Sequence, residues 1–198
     1  MKALLATRNK AKLAELGGLF AGGGLELALP EDAGVAMPDV EETGATFLEN
    51  ALLKARALAA AAGGWALADD SGLEVDALGG APGVRSARYA GPGATDADNV
   101  ARLLEALGDR SDRSARFRCV LALAGPDGAT LTATGTLEGE IARAPAGTFG
   151  FGYDPVFLLP DRGLTVAQLP FAEKQRISHR ARAAAALLEI LPRLTDPR

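Results

Sequence analysis

The stretch that most restricts the fold is residues 46–72. Thr46-Phe47-Leu48-Glu49 is a capping box: the threonine hydroxyl takes the amide three residues on, and the glutamate reaches back to the cap. Leu48, Leu52, Ala55, Ala59 and Ala62 recur at helical spacing, and Gly63-Gly64 stops the helix. Trp65-Ala66-Leu67-Ala68 then reads as a buried strand, with Asp69-Asp70-Ser71-Gly72 directly after it. A capped helix handed straight to an apolar strand is the building unit of α/β folds, and such folds place ligands where strands meet helices.

The flanking sequence extends this pattern. Residues 3–6 predict a short buried strand, followed by a helix with Asn9 as N-cap and Leu13, Leu16 and Phe20 on one face. Gly22, Gly23 and Gly24 end it. A third helix starts at Thr95 or Asp96 and carries Val100, Leu103, Leu104 and Leu107. Arg116 to Ala124 and Leu131 to Leu137 are strand-like, and Gly125-Pro126-Asp127-Gly128 between them predicts a hairpin. A Gly-rich loop, Gly147 to Pro155, leads into the apolar run Val156-Phe157-Leu158-Leu159. The last helix begins after Ser178 and buries Ala184, Leu187, Leu188 and Leu191. Early alternation with a late hairpin gives an α/β fold with a mixed sheet, within one domain of 198 residues.

Charge narrows the function. The formal net charge is −4, whereas proteins that live on nucleic-acid backbones carry a basic excess. A polyanionic ligand would therefore be held by a few placed cations, and no nucleic-acid partner is expected. No stretch is long enough to span a bilayer, and the apolar run in Met1–Thr7 is too short for a signal peptide. The one cysteine, Cys119, lies in the apolar run 119–123 and reads as a small core residue. It cannot form an intramolecular disulfide, which suits a reducing cytoplasm.

Four polar clusters could carry chemistry. Thr7-Arg8-Asn9-Lys10-Ala11-Lys12 opens a helix, so free amides, a hydroxyl and ammonium groups could cradle phosphate; the alternative is a capped helix with solvated lysines. Asp69-Asp70 are adjacent carboxylates that need a compensating cation, such as Mg²⁺, or else form an acidic turn. Glu41-Glu42-Thr43-Gly44 could add a carboxylate or be a solvated loop. Thr148-Phe149-Gly150-Phe151-Gly152-Tyr153-Asp154-Pro155 interleaves glycines with rings in a chain only 5% aromatic, so a ring could stack on a flat base or pack in the core. Lys174-Gln175-Arg176-Ile177-Ser178-His179-Arg180 gathers cations around the single histidine, facing either a carbonyl-rich base or a phosphate, or else solvent.

Taken in order, these segments resemble the noncanonical purine nucleoside triphosphate pyrophosphatases, the inosine/xanthosine triphosphatase (Ham1-like) family. The resemblance is carried by Thr7-x-Asn9-x-x-Lys12, Glu41-Glu42-Thr43-Gly44-x-Thr46-Phe47-x-Glu49-Asn50-Ala51 and Lys54-Ala55. It continues through Ala68-Asp69-Asp70-Ser71-Gly72-Leu73, residues 78–83 and Ser86-Ala87-Arg88-Tyr89. It ends with Phe151-Gly152-Tyr153-Asp154-Pro155-Val156-Phe157, Glu173-Lys174 and Ser178-His179-Arg180. It implies a long curved mixed sheet flanked by helices, with two lobes and a central cleft, in a Mg²⁺-dependent cytoplasmic homodimer. The implied reaction splits a nucleoside triphosphate between its α- and β-phosphates, with hypoxanthine or xanthine as base. On the resemblance, Thr7, Asn9 and Lys12 bind the triphosphate with help from Lys54. Asp70 is the general base and a metal ligand, with Glu42 as the second metal carboxylate and Glu41 as its alternative. Ser71 contacts substrate, and Phe151, Gly152, Tyr153, Asp154, Lys174, His179 and Arg180 serve the base and sugar. Arg8 and Phe149 depart from the glycines common at those positions.

Selectivity has a chemical basis in this reading. Hypoxanthine and xanthine offer a carbonyl at C6 where adenine offers an amino group, so donors such as His179 and Arg180 would face a donor in ATP. Guanine must be refused at C2 by a further donor. A pyrophosphatase for pyrimidine or modified nucleotides and a non-catalytic nucleotide-binding module are the competing classes; a substrate panel and turnover by the wild type separate them.

Overall fold

The computed structural model of the chain describes residues 1–7 and 9–194, the side chains of Lys10, Ala11 and Arg193 excepted; Arg8, singled out in the sequence, lies outside the described residues. The elements are β1 (Lys2–Leu5), α1 (Lys10–Phe20), β2 (Glu26–Ala28), α2 (Phe47–Ala62), β3 (Ala66–Val75), α3 (Asp96–Leu107), β4 (Ser114–Ala124), β5 (Thr130–Ile141), β6 (Phe157–Leu159), β7 (Leu164–Thr165), α4 (Phe171–Ile177) and α5 (His179–Ile190). The strands form a seven-stranded sheet in the order β2-β1-β3-β4-β5-β6-β7. β1 runs parallel to β2 and β3, with Lys2 opposite Glu26 and Leu4 opposite Ala66. β6 runs antiparallel to β5 and β7, with Glu140 opposite Leu158 and Leu158 opposite Thr165. The expected α/β fold with a mixed sheet flanked by helices is present.

The chain divides into two compact units. The first comprises Met1–Asp70, Cys119–Gly135 and the chain from His179 onward. Its core packs Leu5, Leu16, Phe20, Leu67, Leu121 and Leu187, each fully or nearly fully buried. Burying one such side chain stabilises the fold by roughly 1.5–3 kcal/mol. α5 reaches β5 closely because Gly135 has no Cβ; a methyl there would run into the His179 carbonyl and the Ala183 amide.

The second unit comprises Ser71–Arg118 and Thr136–Ser178. α3 buries Val100, Leu103 and Leu107 in a core with Leu73, Val75, Phe117 and Phe157. The Phe117 and Phe157 rings stack with centroids 4.2 Å apart. Arg113 is buried beneath this core, where its guanidinium donates to the carbonyls of Ile141, Gly108 and Ala142.

The caps read from sequence are formed. Thr46 and Glu49 make the capping box of α2, and Gly63 takes the left-handed conformation at φ 61° that ends the helix. Thr95 and Asp98 also form a capping box at α3, where the sequence reading gave only the helix start. Some details differ from the sequence reading. The buried face of α2 is Phe47, Asn50, Ala51, Ala55, Leu58 and Ala59, whereas Leu48 is exposed; an alanine-rich helix is apolar on most sides, so periodicity alone misplaces its face. β3 does not stop at Ala68 but runs ten residues to Val75, through the acidic pair. The strand continues because both of its faces are covered and its polar side chains find partners. The very short β2 and β7, and α4 ahead of Ser178, were not anticipated. Cys119 is in the core as expected, and its thiol also donates to a carboxylate.

Candidate active site

The pleat of β3 organises the first unit's polar residues. Consecutive side chains on a strand point to opposite faces, so Asp69 and Asp70 diverge rather than share one cation. Asp69 is fully buried. It pairs with the Lys12 ammonium, lies 3.4 Å from Arg180 Nε, and accepts from Cys119 Sγ at 3.1 Å. Burial would push this carboxyl up. The charges of Lys12 and Arg180, with hydrogen bonds from Lys12 and Cys119, overcome that and hold it well below the usual carboxylate range. Burial and the same carboxylate raise the Cys119 thiol, which leaves it inert as a nucleophile.

Local hydrogen bonds set Lys12 at the start of α1. Asn9 Oδ1 accepts from the Lys12 amide at 3.2 Å, and Thr7 Oγ1 accepts from the Asn9 amide at 3.1 Å. Three residues on, the buried Glu15 takes Arg180 Nη1 at 3.0 Å. His179 and Arg180 are the first residues of α5 and are themselves buried.

Asp70, on the other face, meets α2. Lys54 Nζ donates to Asp70 Oδ1 at 2.6 Å, to Glu42 Oε1 at 3.0 Å and to the Asp69 carbonyl at 2.9 Å, which uses all three ammonium protons. Glu42 reaches this point because the buried Asn50 side chain accepts from the Gly44 amide at 2.8 Å and donates to its carbonyl at 3.4 Å, fastening the acidic loop to α2. Glu41 is exposed. Burial raises the Asp70 carboxyl and the Glu42 charge adds to that, against the opposing pull of Lys54. Burial alone would lower Lys54, but two facing carboxylates raise it, so it stays charged. A raised carboxyl is a better proton acceptor than an ordinary one.

Glu42 and Asp70 are hard oxygen donors meeting at one positive charge, a donor set that Mg²⁺ accepts. Among the described residues no group of three or more His, Cys, Asp or Glu could hold a metal alone. A bound Mg²⁺ would therefore take these two carboxylates and fill its shell with water and phosphate oxygens.

The second unit holds the other sequence-flagged residues. Asp154 Oδ2 accepts from the Phe151 amide at 2.9 Å and from Lys174 Nζ at 2.6 Å; both Asp154 and Lys174 are buried. The Lys174 ammonium also lies 4.8 Å from the centre of the Phe151 ring, a cation–π contact on one ring face. Gly150 must be glycine here, since a Cβ would collide with the Asp154 carboxylate and its φ is 79°. The Tyr153 hydroxyl donates to the Ser86 carbonyl at 2.8 Å, and burial raises its phenol. Ser71 is half-buried on β3, and Phe149 is 58% exposed.

The structure thus gathers Thr7, Asn9, Lys12, Glu42, Lys54, Asp70, His179 and Arg180 in the first unit. It gathers Ser71, Phe151, Gly152, Tyr153, Asp154 and Lys174 in the second. Sequence reasoning missed Glu15 and Asn50. Asn50 could have been found as a polar residue one turn from Phe47 on a core face; Glu15 gave no such signal.

A model of the Ham1 family matches residues 3–190. The chain belongs to the Ham1 family. It is 52% identical over 198 residues to the dITP/XTP pyrophosphatase of Methylococcus capsulatus, covering 98% of each chain. It is 51% identical over 194 residues to the dITP/XTP pyrophosphatase of Shigella flexneri, covering 96% of this chain and 98% of that one. Its fold superposes on a HAM1 protein from Coxiella burnetii with a TM-score of 0.88 at 48% identity, over 96% of this chain and 98% of the other.

Proposed function

We propose that this Ham1-family chain hydrolyses noncanonical purine nucleoside triphosphates (ITP, dITP and XTP) to the monophosphate and pyrophosphate, and so cleanses the nucleotide pool. The carrying observation is the pair Glu42 and Asp70 sharing the Lys54 ammonium, with Asp69, the residue before Asp70 on β3, pairing with Lys12 from the first turn of α1. Relatives at 50–52% identity carry the name dITP/XTP pyrophosphatase.

Each residue has a defined task in this reading. Thr7, Asn9, Lys12 and the opening amides of α1 hold the phosphate chain through charge and hydrogen bonds. Asp70 orients a water and takes its proton; the water oxygen bonds the α-phosphorus while the bond from that phosphorus to the bridging oxygen breaks, and the bridging oxygen leaves as part of pyrophosphate. Lys54 keeps Asp70 and Glu42 aimed at the reacting region. Mg²⁺ held by Glu42 and Asp70 would supply charge neutralisation and water polarisation. In the second unit the Phe151 ring, backed by Lys174, is the aromatic platform for a flat base in this reading. Lys174 supplies a donor matched to a C6 carbonyl. Facing an adenine amino group instead leaves polar groups unpaired, at roughly 1–3 kcal/mol each.

The test is a substrate panel with Mg²⁺. Pyrophosphate release from ITP, dITP or XTP should exceed that from ATP and GTP by at least about thirtyfold, as two mispaired polar groups predict. Asp70→Asn should lose about a thousandfold or more in kcat while still binding substrate. Orthophosphate as product, or equal rates on ATP, overturns the reading. A cytoplasmic homodimer completes the proposal. No described helix is long and apolar enough to cross a membrane, and exposed Phe149 and Phe171 leave apolar surface that a second copy could cover. Sedimentation equilibrium checks the mass.

A further inference from the structure

The segment carrying Phe151 has little conformational reason of its own to stay put. Gly150 and Gly152 flank the ring at φ 79° and 63°, and glycine populates many other conformations in an unrestrained chain. Hydrogen bonds must hold it. The Phe151 amide is fastened locally, to Asp154 Oδ2 three residues on. The Gly152 amide is fastened from far along the chain: it donates to Asp96 Oδ2 at 2.7 Å, across 56 residues.

Asp96 is well placed to serve as an anchor. It is the first residue of α3, directly after the Thr95 cap. The cap is tight: the Thr95 amide and hydroxyl donate to Asp98 Oδ2 at 2.9 and 2.6 Å, and the Asp98 amide returns to Thr95 Oγ1 at 3.2 Å. One turn further, the buried Asn99 accepts from the Ala90 amide at 2.9 Å and donates to the Ala87 carbonyl at 3.2 Å. That bonds α3 to the segment bearing Ser86. Ser86 takes the Tyr153 hydroxyl on its carbonyl, while its own hydroxyl accepts from the Leu73 amide at 2.9 Å and donates to the Gly83 carbonyl at 2.6 Å. The bonds therefore close a ring, running from Asp96 to Gly152, Tyr153, Ser86, Ala87, Asn99 and back along α3.

We propose that Asp96 is a positioning residue for nucleotide recognition, whose carboxylate closes this ring and fixes the Phe151 ring at the angle a purine needs. The proposal rests on reading residues 150–154 as the base platform. It assigns Asp96 more than the usual part of an acidic residue in a helix's first turn, where charge alone would matter. The two roles separate chemically. Asparagine keeps a side-chain oxygen that can accept from Gly152 but has no charge; alanine has neither.

The experiment compares Asp96→Ala and Asp96→Asn with the wild type in three measurements. Amide hydrogen exchange of Gly152, followed by NMR without substrate, should accelerate at least about tenfold in Asp96→Ala and less than about threefold in Asp96→Asn. KM for ITP should rise about tenfold in Asp96→Ala, with kcat changed less than about threefold, and should return to within about threefold of wild type in Asp96→Asn. Thermal melts should fall in both variants, which both lose the charge, and further in Asp96→Ala, which also loses the acceptor. Unchanged Gly152 exchange in Asp96→Ala, or an Asp96→Asn KM as high as the alanine variant's, overturns the proposal. If wild type fails on ITP, the base-platform reading fails, and Gly152 exchange alone still decides whether Asp96 closes the ring.

Discussion

Replacing Asp69 by asparagine tests the reasoning about the acidic pair most directly. The side chain keeps its shape and loses one charge in a fully buried position. Near a protein surface, two unit charges about 4 Å apart interact by roughly 4 kcal/mol, and Asp69 faces two cations. Much of that attraction is offset by the cost of burying the carboxylate, so the net loss on breaking such a pair is about 3–5 kcal/mol. Two facts point to the low end. Arg180 keeps Glu15 at 3.0 Å, and the Lys12 side chain retains 18% of its exposure, so it can turn toward water. A loss of about 3 kcal/mol lowers Tm by about 6–12 °C in a domain of this size. The assay is a circular-dichroism melt of both proteins at pH 7.5, followed by a Mg²⁺ titration of the rate. Half-saturating Mg²⁺ should stay within about twofold, because the pleat turns Asp69 away from the Asp70 side. A Tm shift below about 3 °C would refute the buried-pair argument. A tenfold rise in half-saturating Mg²⁺ would put Asp69 on the metal and refute the division of labour between the two carboxylates.

Two further outcomes follow from the packing and the caps. Gly135→Ala should destabilise by about 1–3 kcal/mol, since its methyl meets backbone atoms of His179 and Ala183 that cannot rotate away; urea unfolding measures it, and a loss under about 1 kcal/mol would mean α5 shifts freely. Hydrogen bonds from the Thr95 hydroxyl and amide hold the exposed Asp98 carboxyl below its usual value. A group depressed on folding contributes stability above its unfolded pKa, about 3.9, and loses it as pH falls through the folded value. The Tm gap between wild type and Asp98→Ala should therefore be constant from pH 7 to 5 and close below about pH 4; a gap unchanged down to pH 2 would show that the bonds do not depend on ionisation.

Much of this protein could be read without coordinates, and the legible parts share a physical cause. The capping boxes at Thr46 and Thr95, the left-handed Gly63 and the turn at 125–128 are all made by residues a few positions apart, so sequence alone determines them. The same holds for the types of chemistry available, since carboxylates, lysines and a lone histidine state their charge and donors wherever they lie. What tertiary structure decided was pairing and direction. Two neighbouring aspartates look like one metal site until β3 continues through them and its pleat turns them apart. Glu15 finds Arg180 across 165 residues, and Asp96 finds Gly152 across 56. Such contacts are fixed by which strands and helices become neighbours when the apolar faces are buried. No local pattern of letters encodes that choice, because the energy that makes it is spread over the whole core.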